Sequence, residues 1–191
     1  MAQTLDDLLE ALEDVDDVTR EEASKALAEL ADPTTLNALV GACGDEYWAV
    51  RAHAGRGLSK IGGVKAMEAL IVLFNDSIMD VRNDAVAAMA SMGAVVVDRL
   101  IAALKDERWR VREHAAKTCG DIQDQKAVEA LILVCRDRDG AVKSATAEAL
   151  GKIGDPRAIP VLSKLFRDPS KTVRETAGTA LILSANLPSI R

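Results

Sequence analysis

The stretch Asp106-Glu107-Arg108-Trp109-Arg110-Val111-Arg112-Glu113-His114-Ala115-Ala116 decides the fold, because it is one copy of a unit that recurs along most of the chain. With Val111-Arg112 as the marker, its relatives are Val50-Arg51, Val81-Arg82, Val142-Lys143 and Val173-Arg174, in steps of 31, 30, 31 and 31 residues. A looser copy begins at Val18. An aspartate stands five residues ahead of each marker valine, at Asp45, Asp76, Asp106, Asp137 and Asp168. Behind the marker come Ala54, Ala85, Ala115, Thr146 and Ala177, then Leu58, Met89, Cys119, Leu150 and Leu181, then Ile61, Met92, Ile122 and Ile153. Offsets of 0, 4, 8 and 11 trace one face of an α-helix, here called helix A.

A second set of columns defines helix B: Leu36, Met67, Val97, Val128 and Ile159, followed three residues on by Leu39, Leu70, Leu100, Leu131 and Leu162. Between the helices lie short breakers, Asp32-Pro33, Gly62-Gly63, Gly93, Gln123-Asp124 and Gly154-Asp155-Pro156. Glycine suits the left-handed residue after a helix, and proline the first turn of the next. A fixed period of this length marks a solenoid. The expectation is therefore all-α: an α-solenoid, a right-handed superhelix of antiparallel helix pairs with about twelve helices. Residues 1–191 read as a single domain. A lone helix at 4–13 is followed by repeats at about 18–44, 45–75, 76–105, 106–136 and 137–167, and by a terminal half repeat at 168–186.

The segment Leu150-Gly-Lys-Ile-Gly-Asp-Pro-Arg-Ala-Ile-Pro-Val-Leu and the Asp-x4-Val-Arg-x2-Ala core resemble the short HEAT-like repeat of phycobilisome-lyase type, over roughly residues 4–186. The resemblance implies a ladder between stacked units, made by an Asp and an Arg six positions later. The matching pairs are Asp45/Arg51, Asp76/Arg82, Asp106/Arg112, Asp137/Lys143 and Asp168/Arg174. The first repeat departs from it, with Asp14 ahead of Val18-Thr19-Arg20. The resemblance also implies that helix A lines a convex side and helix B a concave one. It specifies architecture and says little of activity, since such repeats occur in bilin lyases, hydroxylases and adaptors.

Composition narrows the class. Hydrophobic residues make up 49% of the 191 and aromatics 3%, so the core is aliphatic. No run of 18 apolar residues offers a membrane span, and the N-terminus carries no secretory pattern. Three unevenly spaced cysteines, Cys43, Cys119 and Cys135, predict a reducing compartment, with the cytoplasm as default. Residues 1–32 hold eleven acids against two bases, and residues 33–191 nineteen against twenty-two. The acidic end reads either as a solubilising cap or as a docking end for a basic partner.

Catalytic patterns are sparse. His53 and His114 each sit in Trp-x-Val-Arg-x-His-Ala. Two repeats part them, which at helix spacings of about 8–10 Å puts them roughly 20 Å apart, beyond a shared metal. Each is followed by Ala, so the His-Glu pairs of iron hydroxylases are missing. The cysteines occupy apolar columns, where burial makes a thiol inert. No phosphate loop or hydrolase motif is present. Lys105, Arg108, Arg110 and Arg112 around Trp109 are the best basic patch, but acids interrupt it and the chain carries a net charge of −6, against nucleic-acid binding. The sequence thus predicts no catalytic residue, metal or cofactor.

What remains is surface. On helix B, Val72, Ala102 and Leu133 take places held by Gly41 and Lys164 in the flanking repeats, and Ile71, Ile101 and Ile132 run beside them. This stripe reads either as an apolar groove for a peptide, a helix or a second copy of the chain, or as surface covered by superhelical curvature. Trp48, Met79 and Trp109 form a second candidate at the helix A starts, for partner binding or for packing between repeats. The last helix leaves Leu181, Ile182 and Leu183 to be covered by the tail Leu187–Ile190, by a partner or by a homodimer contact. The expected function is a non-enzymatic scaffold or adaptor that binds a protein or peptide on its concave helix B face. The alternative is a bilin-lyase-like subunit or chaperone acting on a protein-bound cofactor.

Overall fold

The computed structural model describes residues 4–186. Twelve α-helices, with no strand among the described residues, follow in chain order: α1 (Leu5–Ala11), α2 (Asp17–Leu30), α3 (Leu36–Ala42), α4 (Trp48–Ile61), α5 (Gly63–Leu73), α6 (Met79–Ser91), α7 (Val97–Ala103), α8 (Trp109–Ile122), α9 (Val128–Val134), α10 (Gly140–Ile153), α11 (Ile159–Leu165) and α12 (Lys171–Asn186). Even-numbered helices are the longer A type and odd-numbered ones the shorter B type. Packing gathers the chain into two compact units, one through Met92 and one from Gly93. In the first, α2 packs on α4 and α4 on α6; in the second, α8 packs on α10 and α10 on α12.

The recurring columns are the core. Val50, Val81, Val111, Val142 and Val173 are fully buried, as are Leu39, Leu70, Leu100, Leu131 and Leu162 of the B helices. Each such side chain stabilises the fold by roughly 1.5–3 kcal/mol. Ile159 departs from its column and is exposed. The first helix is shorter than the sequence suggests. Thr4 caps it, accepting from the Asp7 N–H while the Asp7 carboxylate accepts from the Thr4 N–H, a reciprocal arrangement that stops the helix from growing backwards.

The breakers work as expected at Gly62, Gly93 and Gly154, which hold positive φ. Ala31 and Gln123 take left-handed backbone at the equivalent helix ends without being glycine, a conformation that L side chains rarely adopt. Four B helices are entered through a 3-10 turn that the column pattern does not reveal: Pro33–Thr35, Gly93–Val96, Gln125–Ala127 and Pro156–Ala158. Asp32, Asp124 and Asp155 cap three of these turns through the N–H two residues on.

Candidate functional site: the helix B face

The aspartate column does two jobs. Asp45, Asp76, Asp106, Asp137 and Asp168 each accept from the N–H two residues on, shaping the loop before an A helix. Most also receive a cation from the preceding repeat. Arg51 forks onto Asp76 at 2.7 and 2.9 Å, Arg112 onto Asp137 at 2.6 and 2.9 Å, and Lys143 reaches Asp168. The arginine therefore meets the carboxylate 25 residues on. Its contact with the aspartate six residues behind is to the main-chain oxygen: Arg51 to Asp45, Arg82 to Asp76, Arg112 to Asp106, Arg174 to Asp168.

The first repeat joins this ladder, contrary to what its Val18 frame suggests. Arg20 forks onto Asp45 at 2.8 and 3.1 Å and holds the Asp14 carbonyl. Registered on Arg20, with Thr19 in the valine place, the step to Arg51 is 31 residues. Arg82 spends one nitrogen on the Asp76 and Ser77 carbonyls, and its buried Nε has no hydrogen-bond partner. Asp106 takes the fork of Arg108.

Three of the four cations around Trp109 are taken up by such contacts, and Lys105 is left exposed. Arg108 is held by Asp106, Arg112 by Asp137, and Arg110 lies 4.8 Å over the Trp109 ring. Trp48, Met79 and Trp109 are partly exposed at the starts of α4, α6 and α8, and Trp48 meets Tyr47 edge-on at 6.2 Å. On α12, Ile182 and Leu183 are exposed; the tail Leu187–Ile190 lies outside the described residues.

The histidines and cysteines are buried or half-buried. His114 is buried, with Nδ1 2.7 Å from the Arg110 carbonyl. His53 lies 3.8 Å from Glu21, and burial pushes its imidazole below the usual range. Burial pushes the thiols of Cys43, Cys119 and Cys135 up to about 12. A polar hollow of about 460 Å³ beside α8 and α10 is lined by Glu113, Lys117, Ser144 and Glu148, among others. Glu113 is paired with Lys117, and the Ser144 hydroxyl lies 2.9 Å from that of Thr176. Among the described residues no three His, Cys, Asp or Glu side chains group to hold a metal, and no single helix is long and apolar enough to cross a membrane.

The helix B stripe is on the surface. Val72 is 57% and Leu133 68% exposed; Ala102 is exposed, and Ile71, Ile101 and Ile132 are half-buried. In the second unit the stripe is hollowed. A cavity of about 420 Å³ between α7 and α9 is walled by Ile101, Leu104, Ala130, Leu133 and Val134, with Lys105, Glu129, Arg136 and Asp137 at its polar margin. A neighbouring one of about 230 Å³ lies between α9 and α11, with Ile132, Val161 and Leu165 in its wall. Leu133 and Arg136 line both, so the two hollows are contiguous. A second ladder stitches the B-helix ends: Lys126 to Asp98, Arg157 to Glu129, and Lys65 to Asn37.

The comparisons with known proteins agree on architecture. A family model described as HEAT repeats matches residues 5–90 and 97–182. No curated protein matches the chain in sequence. Among solved structures, the complex of CpcE and CpcF of phycocyanin lyase from Nostoc sp. PCC7120 is similar with a TM-score of 0.60 at 23% identity, over 78% of this chain and 99% of that one. Human deoxyhypusine hydroxylase is similar with a TM-score of 0.51 at 19% identity, over 96% and 85%. Kap95p, in a structure addressing its binding to RanGDP, is similar with a TM-score of 0.71 at 15% identity, over 95% of this chain and 30% of that one. At these identities the likeness shows the fold.

Proposed function

The chain belongs to the HEAT-repeat family, and on that basis we propose that it is an interaction scaffold whose helix B face docks a protein segment. The observation that carries this reading is the open, aliphatic double hollow centred on Leu133, a side chain of the B-helix stripe that is 68% exposed. Leaving a leucine in water forgoes roughly 1.5–3 kcal/mol. A contiguous apolar recess of this kind fits an aliphatic anchor from another chain. Two of the solved neighbours are protein complexes, CpcE with CpcF and Kap95p with Ran, which fits a fold used for gripping other chains. The cytoplasm is the compartment we propose, from the three unpaired cysteines.

A photo-crosslinking side chain at Ala102 tests this reading. It should capture a specific protein in native cells, while the same group at Glu148, on the exposed side of α10, should not. Equal labelling from both positions would contradict the assignment of the face. The second reading, a bilin-lyase-like subunit, draws on the likeness to CpcE and CpcF alone. A shift in visible absorbance when the protein is mixed with a bilin would favour it.

A further inference from the structure

We propose that the hollow on the second unit selects an acidic, aliphatic-bearing peptide segment of a partner protein, an inference that rests on the helix B face being a docking surface. The residues lining the two contiguous recesses carry an unbalanced charge. Both carboxylates there are already neutralised. Asp137 accepts the Arg112 fork at 2.6 and 2.9 Å, and Glu129 accepts from Arg157 at 2.8 Å. Arg157 is in turn shared with Asp155. The remaining cations are Lys105, Arg136 and Lys164, all exposed. None has a carboxylate partner among the described residues. The groove therefore presents three uncompensated positive charges around an aliphatic floor of Ile101, Ile132, Leu133 and Val161, and no free negative one.

This is not a property of the repeat in general. The places of Lys105 and Arg136 are filled by Gly44 and Asn75 in the first unit, where the same stripe is uncharged. Nor is it the chain's overall character, since the net charge is −6. A segment that buries aliphatic side chains against Leu133 brings its own charges close to these cations in a partly dehydrated recess. There a carboxylate is attracted and an ammonium repelled more strongly than in open water. The recesses run across three B helices, roughly 20 Å at ordinary helix spacing, which a helical segment of about 12 residues spans.

The test is a selection of random displayed peptides of about 12 residues against the full chain. Enriched sequences should be net negative and carry Leu or Ile. Synthetic versions should bind about tenfold more weakly to the Lys105→Glu/Arg136→Glu/Lys164→Glu variant, and more weakly at high salt. The triple Gln variant, which removes charge without reversing it, should fall between the two and guards against misfolding, checked by helical circular dichroism. Neutral or basic winners that still depend on Leu133 would overturn the charge selection while leaving the docking face intact. Enrichment indifferent to Leu133→Glu would overturn both. Self-association of the wild-type chain that these substitutions abolish would assign the groove to the acidic α1 of a second copy and overturn the proposal of a separate partner.

Discussion

Arg112 and Asp137, 25 residues apart in the chain, form a two-pronged ion pair whose side chains are only 9% and 10% exposed. The third nitrogen of Arg112 holds the carbonyls of Asp106 and Glu107. One side chain thus ties its own loop to the next repeat. Breaking such a pair from one side leaves a largely buried charge, which costs about 3–5 kcal/mol when burial is complete and about 0–1 at the surface. With a small exposed fraction, Arg112→Ala should destabilise by about 2–4 kcal/mol in denaturant unfolding. Arg56–Asp84 is as short, at 2.6 Å, but its side chains are 52% and 31% exposed. Arg56→Ala should cost under about 1 kcal/mol. Equal losses at the two sites would contradict this ranking.

The same pair sets an acid dependence. Burial pushes the Asp137 carboxyl up, but the Arg112 fork, the Asp139 N–H and the charges of Arg112 and Arg138 together outweigh it, and its pKa lies below the ordinary 3.8. A carboxyl depressed on folding contributes fully above its unfolded value, and that contribution is lost as pH falls through the folded one. Stability should therefore be flat with respect to this group above pH 5 or so and decline below about pH 4. Asp137→Asn should be less stable than wild type at pH 7, with the gap closing as pH drops below 3.8. A gap that stays constant down to acid pH would remove the ion pair as the cause.

The repeat was legible because one marker, Val-Arg behind an aspartate, recurs at nearly fixed spacing and drags the buried columns with it. The direction of the ladder was not. Arg51 sees the Asp45 carbonyl and the Asp76 carboxylate, and an offset of six residues within one repeat cannot distinguish an atom of the same loop from its counterpart in the next. Arg20 was missed because the first repeat was registered on Val18, although the buried role belongs to the arginine. The stripe at Val72, Ala102 and Leu133 was legible as a column. Its exposure was not, since periodicity alone fixes a face and not what covers it. Lys105 was legible only as part of the Trp109 patch and Arg136 not at all, because sequence counts charges without showing that Asp137 and Glu129 are already taken.

Close helix packing gives a prediction in the opposite sense to helix propensity. A Cβ on Gly120 would fall 2.7 Å from the Ala149 Cα and 2.9 Å from its Cβ. Gly120→Ala gains about 0.5–1 kcal/mol from propensity but overpacks α8 against α10 at about 1–3 kcal/mol. Net loss of stability should follow. Gly41, in α3, has nothing within 4 Å of such a Cβ, so Gly41→Ala should be neutral or stabilising by up to about 1 kcal/mol. Thermal unfolding of the two variants side by side decides the matter; a stabilised Gly120→Ala would mean that α8 and α10 can separate cheaply.

Affinity capture from native extract, with wild type beside Leu133→Glu and both checked for unchanged helical content and melting, decides whether the exposed B-helix stripe is a docking surface. With Leu133 68% exposed, the charge should be tolerated by the fold, within about 0.5 kcal/mol of wild type. A specific protein retained by wild type and lost with the folded variant is the predicted result. The same protein retained by both, or a Leu133→Glu chain that unfolds, would contradict a docking role for this face.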